Sequence, residues 1–175
     1  MEAYQIIILV ALLLLFVYVG AFLLILSNSL AFSRRLRKRA QAMLVLIYEK
    51  QEVLLSWFEL LEKEKAPFSE EDLRLFSSVK GMNLAKPSVE EWTACLFSFK
   101  EAQMRLGFLS EEAELDDSHE EKSSYVSALH DLDFNYRQSS AVYNADVVAY
   151  NYWISIPGFS WLLFLFGFRK KTALN

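Results

Sequence analysis

The feature that most constrains this chain is an uncharged apolar run near its N-terminus, Ile6–Leu26. As an α-helix these 21 residues would extend about 30 Å, the thickness of a bilayer's hydrocarbon core. A cleavable signal peptide would carry positive charge before a shorter apolar core, whereas this run follows Met1-Glu2 and has no small-residue cleavage motif after it. A core helix of a soluble protein is disfavoured by the length and the absence of charge. The run therefore predicts a membrane anchor.

A basic cluster immediately after the run predicts the orientation of this anchor. Residues 33–39 read S-R-R-L-R-K-R and supply five cations, Arg34, Arg35, Arg37, Lys38 and Arg39. Basic residues beside a span favour the cytoplasmic side, which puts the N-terminus outside and the rest of the chain in the cytoplasm. The same cations suit anionic lipid headgroups, with about 1 kcal/mol for each cation near the surface.

Beyond the anchor, apolar residues recur in alternating steps of four and three, the heptad pattern of packed helices. This first seam comprises Leu36, Ala40, Met43, Ile47, Lys50, Leu54, Trp57 and Leu61. Only Lys50 interrupts its apolar character. Because neither Gly nor Pro occurs within 21–66, the anchor and the seam are predicted to form one helix that ends before Pro67.

Two shorter helices are predicted next from their start and stop signals. Ser69 is an N-cap candidate followed by three acidic residues, and Gly81 is a natural helix end. Ser88 and Glu91 then form a capping-box sequence. The predicted buried stripe of this second helix comprises Val89, Trp92, Leu96, Phe99, Gln103 and Leu106.

The rest of the chain before the tail is predicted to be an acidic connection and one long helix. Residues 110–121 hold seven carboxylates, which predicts a solvated connection or a helix start, without the ligand order of a calcium loop. The final helix is predicted over 122–156, with the seam Tyr125, Leu129, Leu132, Tyr136, Ser139, Tyr143, Asp146, Tyr150 and Trp153. We therefore predict an all-α chain, in which a transmembrane helix continues into an antiparallel bundle of long, coiled-coil-like helices.

The sequence offers little catalytic chemistry. His119 and His130 stand eleven residues apart without the Glu-x-x-His pairs of bundle metal sites. The single cysteine, Cys95, lies in an apolar helical context and has no basic neighbour. Gly-rich phosphate loops and Gly-x-Ser-x-Gly are absent, and a net charge of −4 does not favour nucleic acid. We expect no enzymatic activity, no metal, no cofactor and no nucleic-acid partner.

A repeated Tyr-Asn pair near the C-terminus resembles a motif of the bacterial LemA family. The residues that carry the resemblance are Tyr143-Asn144, Val147, Tyr150-Asn151, Pro157, Leu165-Phe166-Gly167-Phe168 and Arg169-Lys170-Lys171, together with Asn28 and Leu30 just past the anchor. The chain departs from the family in lacking basic residues just before the first Tyr-Asn and a proline within 50–57. The chain is therefore similar to a diverged member of the LemA family. The resemblance implies a single-pass protein of the bacterial inner membrane with a cytoplasmic helical bundle, and it implies no catalytic site.

The amides of this repeat have two interpretations. Tyr143 and Tyr150 lie seven residues apart on one helix face, and Asn144 and Asn151 lie beside them. Buried amides must be paired, so they would fix helix register. The alternative is that tyrosines and amides recognise a partner protein. Asn28 is a further candidate for either role.

The C-terminal tail is predicted to lie at the membrane surface. Residues 147–168 carry no charge, but Asn151, Pro157-Gly158 and Ser160 interrupt them. Aromatic residues beside Arg169, Lys170 and Lys171 suit the headgroup interface. A second span and a partner-binding tail are the alternatives, and a span would place these three cations outside, against the positive-inside rule.

These expectations divide the chain into an anchor (1–32), a helical bundle (33–156) and an aromatic and basic tail (157–175). The predicted function is that of a non-enzymatic interaction platform on the cytoplasmic side of the membrane, with the bilayer and other membrane or cytoplasmic proteins as partners. Two alternatives remain. One is a self-associating structural protein that forms homo-oligomers through the Lys50-marked seam and Asn28, and the other is a two-span transport or pore accessory.

Overall fold

The computed structural model describes residues 3–82, 89–112 and 119–174, and it leaves the side chains of 89–91, 93 and 119–121 outside the description. Within these ranges the chain is helical and has no strand. The helices are α1 (Ala3–Lys63), α2 (Glu70–Gly81), α3 (Val89–Glu112), α4 (His119–Ile154) and α5 (Ser160–Leu165). The prediction of an all-α chain is confirmed.

Helix α1 runs without interruption for 61 residues, as the absence of Gly and Pro after Gly20 predicts. It ends where Lys65 adopts a left-handed conformation with φ of 58°. The Ala66 N–H donates to the Leu61 carbonyl at 3.0 Å and the Lys65 N–H donates to Glu62 at 3.1 Å, which together form a Schellman motif. Pro67 follows and prevents the helix from continuing.

The start of α2 is a capping box, as the sequence predicts. The Ser69 hydroxyl accepts from the Asp72 N–H at 3.2 Å, and an Asp72 carboxylate oxygen accepts from the Ser69 N–H at 2.8 Å. Asp72 also receives two hydrogen bonds from Arg105 of α3, at 2.5 and 3.0 Å. These bonds lower the pKa of Asp72 to about 2, with the Arg105 side chain as the largest cause. The cap of α2 is therefore also its attachment to α3.

The chain forms two compact units. Unit 1 joins the chain up to Arg39 with Val142–Ala173, and unit 2 comprises Ala40–Ala141 with the extreme C-terminus. These two units differ from the anchor, bundle and tail that the sequence predicted. The predicted tail is not separate, because it packs against α1 and α4 inside unit 1.

The core of unit 2 is the predicted seam of α1. Met43, Ile47, Leu54, Trp57 and Leu61 are all buried to 1% exposure or less. Burial of such side chains contributes roughly 1.5–3 kcal/mol each. The buried apolar residues of α2, α3 and α4 in the same unit include Phe76, Val79, Phe99, Ala102, Leu106, Leu109 and Leu129. The heptad seam therefore closes within one chain.

Two polar residues of α1 are buried here, one in the seam and one beside it, and each has a partner. Lys50 is 5% exposed, and its Nζ lies 2.5 Å from Oδ1 of Asp133 on α4. Gln51 donates from Nε2 to the Val79 carbonyl at 2.6 Å, which attaches the end of α2 to α1. The lysine that interrupts the heptad pattern is thus one half of an ion pair between helices.

Aromatic contacts complete the packing of unit 2. Trp57 of α1 stacks on Tyr125 of α4, with ring centroids 6.1 Å apart and an interplanar angle of 3°. Phe58 contacts both Phe68 and Phe76, at 4.8 and 4.3 Å between centroids. Since α1 pairs residue 50 with 133 and residue 57 with 125, α1 and α4 are antiparallel in this unit.

The buried face of α4 shifts by one residue in unit 1 relative to the predicted seam. Tyr143, Val147, Tyr150 and Ile154 are buried, whereas the predicted Asp146 and Trp153 are only half-buried. Both sets follow steps of four and three, so the periodicity alone does not distinguish them. The structure places the aliphatic residues inward and Asp146 at the edge, where its carboxylate lies 2.5 Å from Nε of Arg39.

Several predicted boundaries move or cannot be compared. Helix α4 begins at His119 and ends at Ile154, against the predicted range 122–156. Residues 110–112 belong to the last turn of α3, where the buried Ser110 donates to the Gly107 carbonyl at 2.8 Å, and residues 119–121 begin α4, so the range predicted as a connection or a helix start is helical at both of its described ends. The capping box of Ser88 and Glu91 and the acidic residues of 113–118 lie outside the described residues.

Candidate functional site

The second Tyr-Asn pair of α4 holds the C-terminal tail. Asn151 donates from Nδ2 to the Lys171 carbonyl at 2.8 Å, and its Oδ1 accepts from the Lys171 N–H at 2.9 Å. The side chain of Tyr150 has a hydrogen bond with the Arg169 backbone. Burial raises the pKa of Tyr150, and the Arg169 backbone acts in the opposite direction. We call Tyr150 and Asn151 the tail clamp.

The chain returns to the tail clamp through two glycine turns. Gly158 and Gly167 have φ of 86° and 82°, a conformation that a residue with a Cβ adopts only with strain. The second turn closes α5, because the Phe168 N–H donates to the Leu163 carbonyl at 3.1 Å and the Gly167 N–H donates to Phe164 at 3.0 Å. Residues 155–171 thus form a compact segment, which we call the C-terminal hook.

The C-terminal hook is braced against the apolar run of α1. The Tyr18 hydroxyl donates to the Gly158 carbonyl at 3.0 Å, and the Tyr18 ring stacks on Phe159 with centroids 4.7 Å apart. Phe22 contacts both Phe159 and Phe166, at 6.2 and 6.0 Å. The roles of Tyr18 and Gly158 were missed at the sequence level, because the contact spans 140 residues and one partner is a backbone carbonyl.

Unit 1 exposes an extensive apolar surface. α1 contains a segment that is long and apolar enough to cross a membrane, and none of the residues of that segment is buried. The C-terminal hook adds more apolar side chains that are at least 60% exposed, namely Trp161, Phe164, Leu165 and Phe166. Apolar surface of this extent is typical of a membrane or protein contact.

The predicted basic residues occur in two groups in unit 1. Arg34, Arg35, Arg37 and Lys38 are exposed on α1, and Arg35 lies over the Phe32 ring at 5.2 Å. Arg39 forms an ion pair with Asp146, unlike the other four cations of this cluster, which are exposed. Arg169, Lys170 and Lys171 are exposed on the C-terminal hook, where Arg169 lies over the Phe164 ring at 5.7 Å.

The remaining residues of the predicted site lie on the helices of unit 1. Tyr143 is 9% exposed, and burial raises its pKa. Asn144 is half-buried beside it. Asn28 donates from Nδ2 to the Leu24 carbonyl of its own helix at 3.1 Å. The amides of Asn28 and Asn151 therefore form hydrogen bonds with backbone groups. One interpretation of the sequence was that such amides would instead fix the register between helices.

Unit 2 contains a separate cleft of about 510 Å³ between α1, α3 and α4. Trp57 and Tyr136 supply aromatic walls, and Met104 and Val126 supply exposed apolar side chains. Three cations and one carboxylate line the cleft, namely Lys50, Lys100, Arg137 and Asp133. Because Lys50 and Asp133 pair with each other, the cleft keeps a net positive charge.

Next to the cleft, α3 exposes an apolar stripe. Phe97, Met104 and Phe108 are 71%, 62% and 50% exposed, and their spacing of seven and four places them on one helix face. Arg105 lies over the Phe108 ring at 5.2 Å. Among the residues that the structure describes, no group of three or more His, Cys, Asp or Glu is placed to hold a metal.

Comparisons of this chain with protein-family models, with curated proteins and with solved structures return no match. The tail clamp, the C-terminal hook and the cleft of unit 2 therefore stand on their own geometry.

Proposed function

We propose that this chain is a non-enzymatic, membrane-anchored helical-bundle protein of the LemA type, which acts as an interaction platform on the cytoplasmic side of the bacterial inner membrane. Its N-terminus would lie outside, with α1 crossing the membrane once and continuing into the bundle. The observation that carries the proposal is the combination, in unit 2, of a basic and aromatic cleft with the apolar stripe of α3.

The membrane part of the proposal is supported by the contrast in burial along α1. Every described side chain up to Ala21 is exposed, although almost all are apolar. Water would oppose such a surface at about 25 cal/mol per Å², whereas hydrocarbon accepts it. The four exposed cations at 34–38 favour the cytoplasmic side for the rest of the chain.

The platform part is supported by the chemistry around the cleft. A partner segment with apolar side chains would meet Met104 and Val126, and its acidic residues would meet Lys100 and Arg137. Interface cores favour Met, Arg and aromatic residues, which are the types present here. We therefore expect a protein partner whose contacting segment is apolar and acidic.

The two alternatives receive less support. The heptad seam of α1 is largely buried within the single chain, and one amide N–H of Asn28 donates to its own helix, which leaves less of both for contacts between chains. The helix breaks between Ile154 and Ser160, and α5 has six residues. Six residues extend only about 9 Å, far less than a span requires.

The test is an affinity isolation of the tagged full chain from detergent-solubilised membranes, followed by proteomics. The wild type is compared with Met104→Glu combined with Lys100→Glu, which reverses the chemistry of the cleft rim. The matched control is Leu73→Glu combined with Lys80→Glu on α2, since these residues are also exposed and carry the same charge change. We expect a reproducible set of proteins that the cleft variant loses and the control retains.

Two outcomes would contradict this proposal. Recovery of the same proteins with the wild type and the cleft variant would exclude the cleft as the platform. Recovery of only the chain itself would favour the self-associating structural alternative.

A further inference from the structure

The C-terminal hook contacts α1 inside the apolar run, which bears on its depth in the membrane. Tyr18 and Phe22 precede Leu26 by eight and four residues, which corresponds to about 12 and 6 Å along a helix. If α1 spans the membrane, as the proposed function holds, the turn at Gly158 lies at the depth of the acyl chains. This inference about the depth of the C-terminal hook rests on the proposed membrane span of α1.

The turn at Gly158 is suited to this depth because several of its backbone polar groups are paired. The N–H groups of Phe159 and Ser160 both donate to the Ile156 carbonyl, at 3.2 and 3.1 Å. The Gly158 carbonyl accepts from the Tyr18 hydroxyl and, at 3.2 Å, from Nε1 of Trp161. Irregular backbone enters hydrocarbon only when such groups are satisfied by the protein.

A cleft of about 550 Å³ opens between the end of α4 and the C-terminal hook. Its lining combines two hydroxyls and two cations with apolar side chains, namely Ser155, Ser160, Arg169, Lys170, Phe164 and Phe168. The tail clamp fixes the backbone of Arg169 and Lys171 on either side of Lys170. The cations are therefore held beside the hydroxyls by hydrogen bonds that do not use their own side chains.

This set of groups matches the headgroup end of a phospholipid. Cations and hydroxyls bind phosphate oxygens through charge-assisted hydrogen bonds, and the exposed Trp161, Phe164 and Leu165 suit the adjoining acyl chains. No carboxylate is among the described residues that line the cleft. We propose that the C-terminal hook enters the leaflet where the α1 span ends, and that its cleft binds the phosphate of an acidic glycerophospholipid.

The test is native mass spectrometry of the detergent-solubilised full chain, titrated with phosphatidylglycerol, phosphatidylcholine or inorganic phosphate. Wild-type protein is expected to retain one phosphatidylglycerol more strongly than phosphatidylcholine. Arg169→Glu combined with Lys170→Glu is expected to weaken that binding at least about tenfold, since each basic residue near a headgroup contributes about 1 kcal/mol.

The matched control is Arg74→Glu combined with Lys80→Glu on α2, which makes the same charge change at two exposed residues of unit 2. Equal losses in the two variants would overturn the proposal, as would equal retention of the two lipids. Competition by inorganic phosphate at the same concentration as the lipid would also overturn it, because the acyl chains would then contribute nothing.

A second measurement covers the case in which the double variant does not fold. A protein that keeps Trp161 and carries Trp57→Phe, Trp92→Phe and Trp153→Phe is reconstituted in vesicles of phosphatidylglycerol brominated on the acyl chains. Bromine is expected to quench most of the Trp161 fluorescence, and unquenched fluorescence would overturn insertion of the C-terminal hook. Release of the wild-type chain from membranes by alkaline carbonate would instead refute the anchor, whatever the lipid titration shows.

Discussion

The two parts of α1 differ in how their apolar residues are used, although they belong to one helix. Up to Ala21 the apolar residues surround the helix on all sides, and they are exposed. From Leu36 to Leu61 the apolar residues of the heptad seam occupy one face and most of them are buried, whereas Val45 and Tyr48, which lie off the seam, are exposed. A helix that is apolar all round suits hydrocarbon, whereas one with an apolar stripe suits a water-facing bundle. The angular distribution of the apolar residues, more than their number, therefore distinguishes the proposed anchor from the bundle.

The largest expected effect comes from the same substitution made in both parts of α1. Leu54→Ala removes a fully buried side chain and should lower the free energy of unfolding by about 3 kcal/mol, whereas Leu14→Ala removes one that is 64% exposed and should change it by less than about 0.5 kcal/mol. Denaturant unfolding of the full chain in detergent, followed by far-UV circular dichroism, measures both. Similar destabilisation by the two variants would refute the contrast.

A smaller effect is expected from the ion pair of unit 2. Asp133→Ala leaves the buried ammonium of Lys50 unpaired and should cost about 2–3 kcal/mol of unfolding free energy. Lys50→Leu combined with Asp133→Ala should recover most of this loss, because it restores an apolar seam. The same unfolding assay applies. If the double variant is no more stable than Asp133→Ala, an apolar residue at position 50 does not replace the stability that the ion pair provides.

The pH dependence of unit 2 should reveal the cap of α2. Because Arg105 and Ser69 lower the pKa of Asp72 from 3.8 to about 2, the carboxylate stabilises the fold above pH 3.8, and this contribution declines as the pH falls towards 2. At neutral pH, Asp72→Asn should lower the unfolding free energy by about 2 kcal/mol. Thermal unfolding of both proteins from pH 7 to pH 2 should show this gap closing. A gap that is constant with pH would contradict the role of the charge.

The smallest expected effect lies in unit 1 and is local. Asn151→Ala removes both hydrogen bonds to Lys171 and should cost about 1–2 kcal/mol. This should appear as faster hydrogen exchange in residues 166–172, while the exchange of α3 stays unchanged. Asn135→Ala, at an exposed position of the same helix, is the comparison. Equal changes in the two variants would argue against a specific tail clamp.

Much of the fold follows from residue patterns that are local in the sequence. The length of α1, the capping box at Ser69 and the burial of Leu54 each depend on signals within a few turns of one helix. Ion-pair partners are harder to predict. Lys50 is conspicuous within the seam, but Asp133 lies beside the predicted seam of α4 and carries no distinguishing local signal.

The candidate sites depend on contacts that the sequence does not encode locally. The Tyr-Asn repeat indicated a special face of α4, yet the partner of Asn151 is the backbone of a residue twenty positions later. Backbone groups are the same at every residue, so a sequence pattern cannot distinguish one from another. The aromatic residues Trp161, Phe164 and Phe166 of the tail are exposed, and its location at the membrane surface stays a prediction. The turns at Gly158 and Gly167 that shape the tail have no distinct signal in the sequence.

The discontinuity of unit 1 has a consequence for biosynthesis. Residues 40–141, which supply nearly all of unit 2, leave the ribosome as one stretch and can begin to pack at once. Unit 1 needs both ends of the chain, so its first half must wait for about a hundred further residues. At cellular rates of synthesis this delay is roughly 5–20 s. During that time the apolar run is already made, but the C-terminal hook that packs against Tyr18 and Phe22 is not.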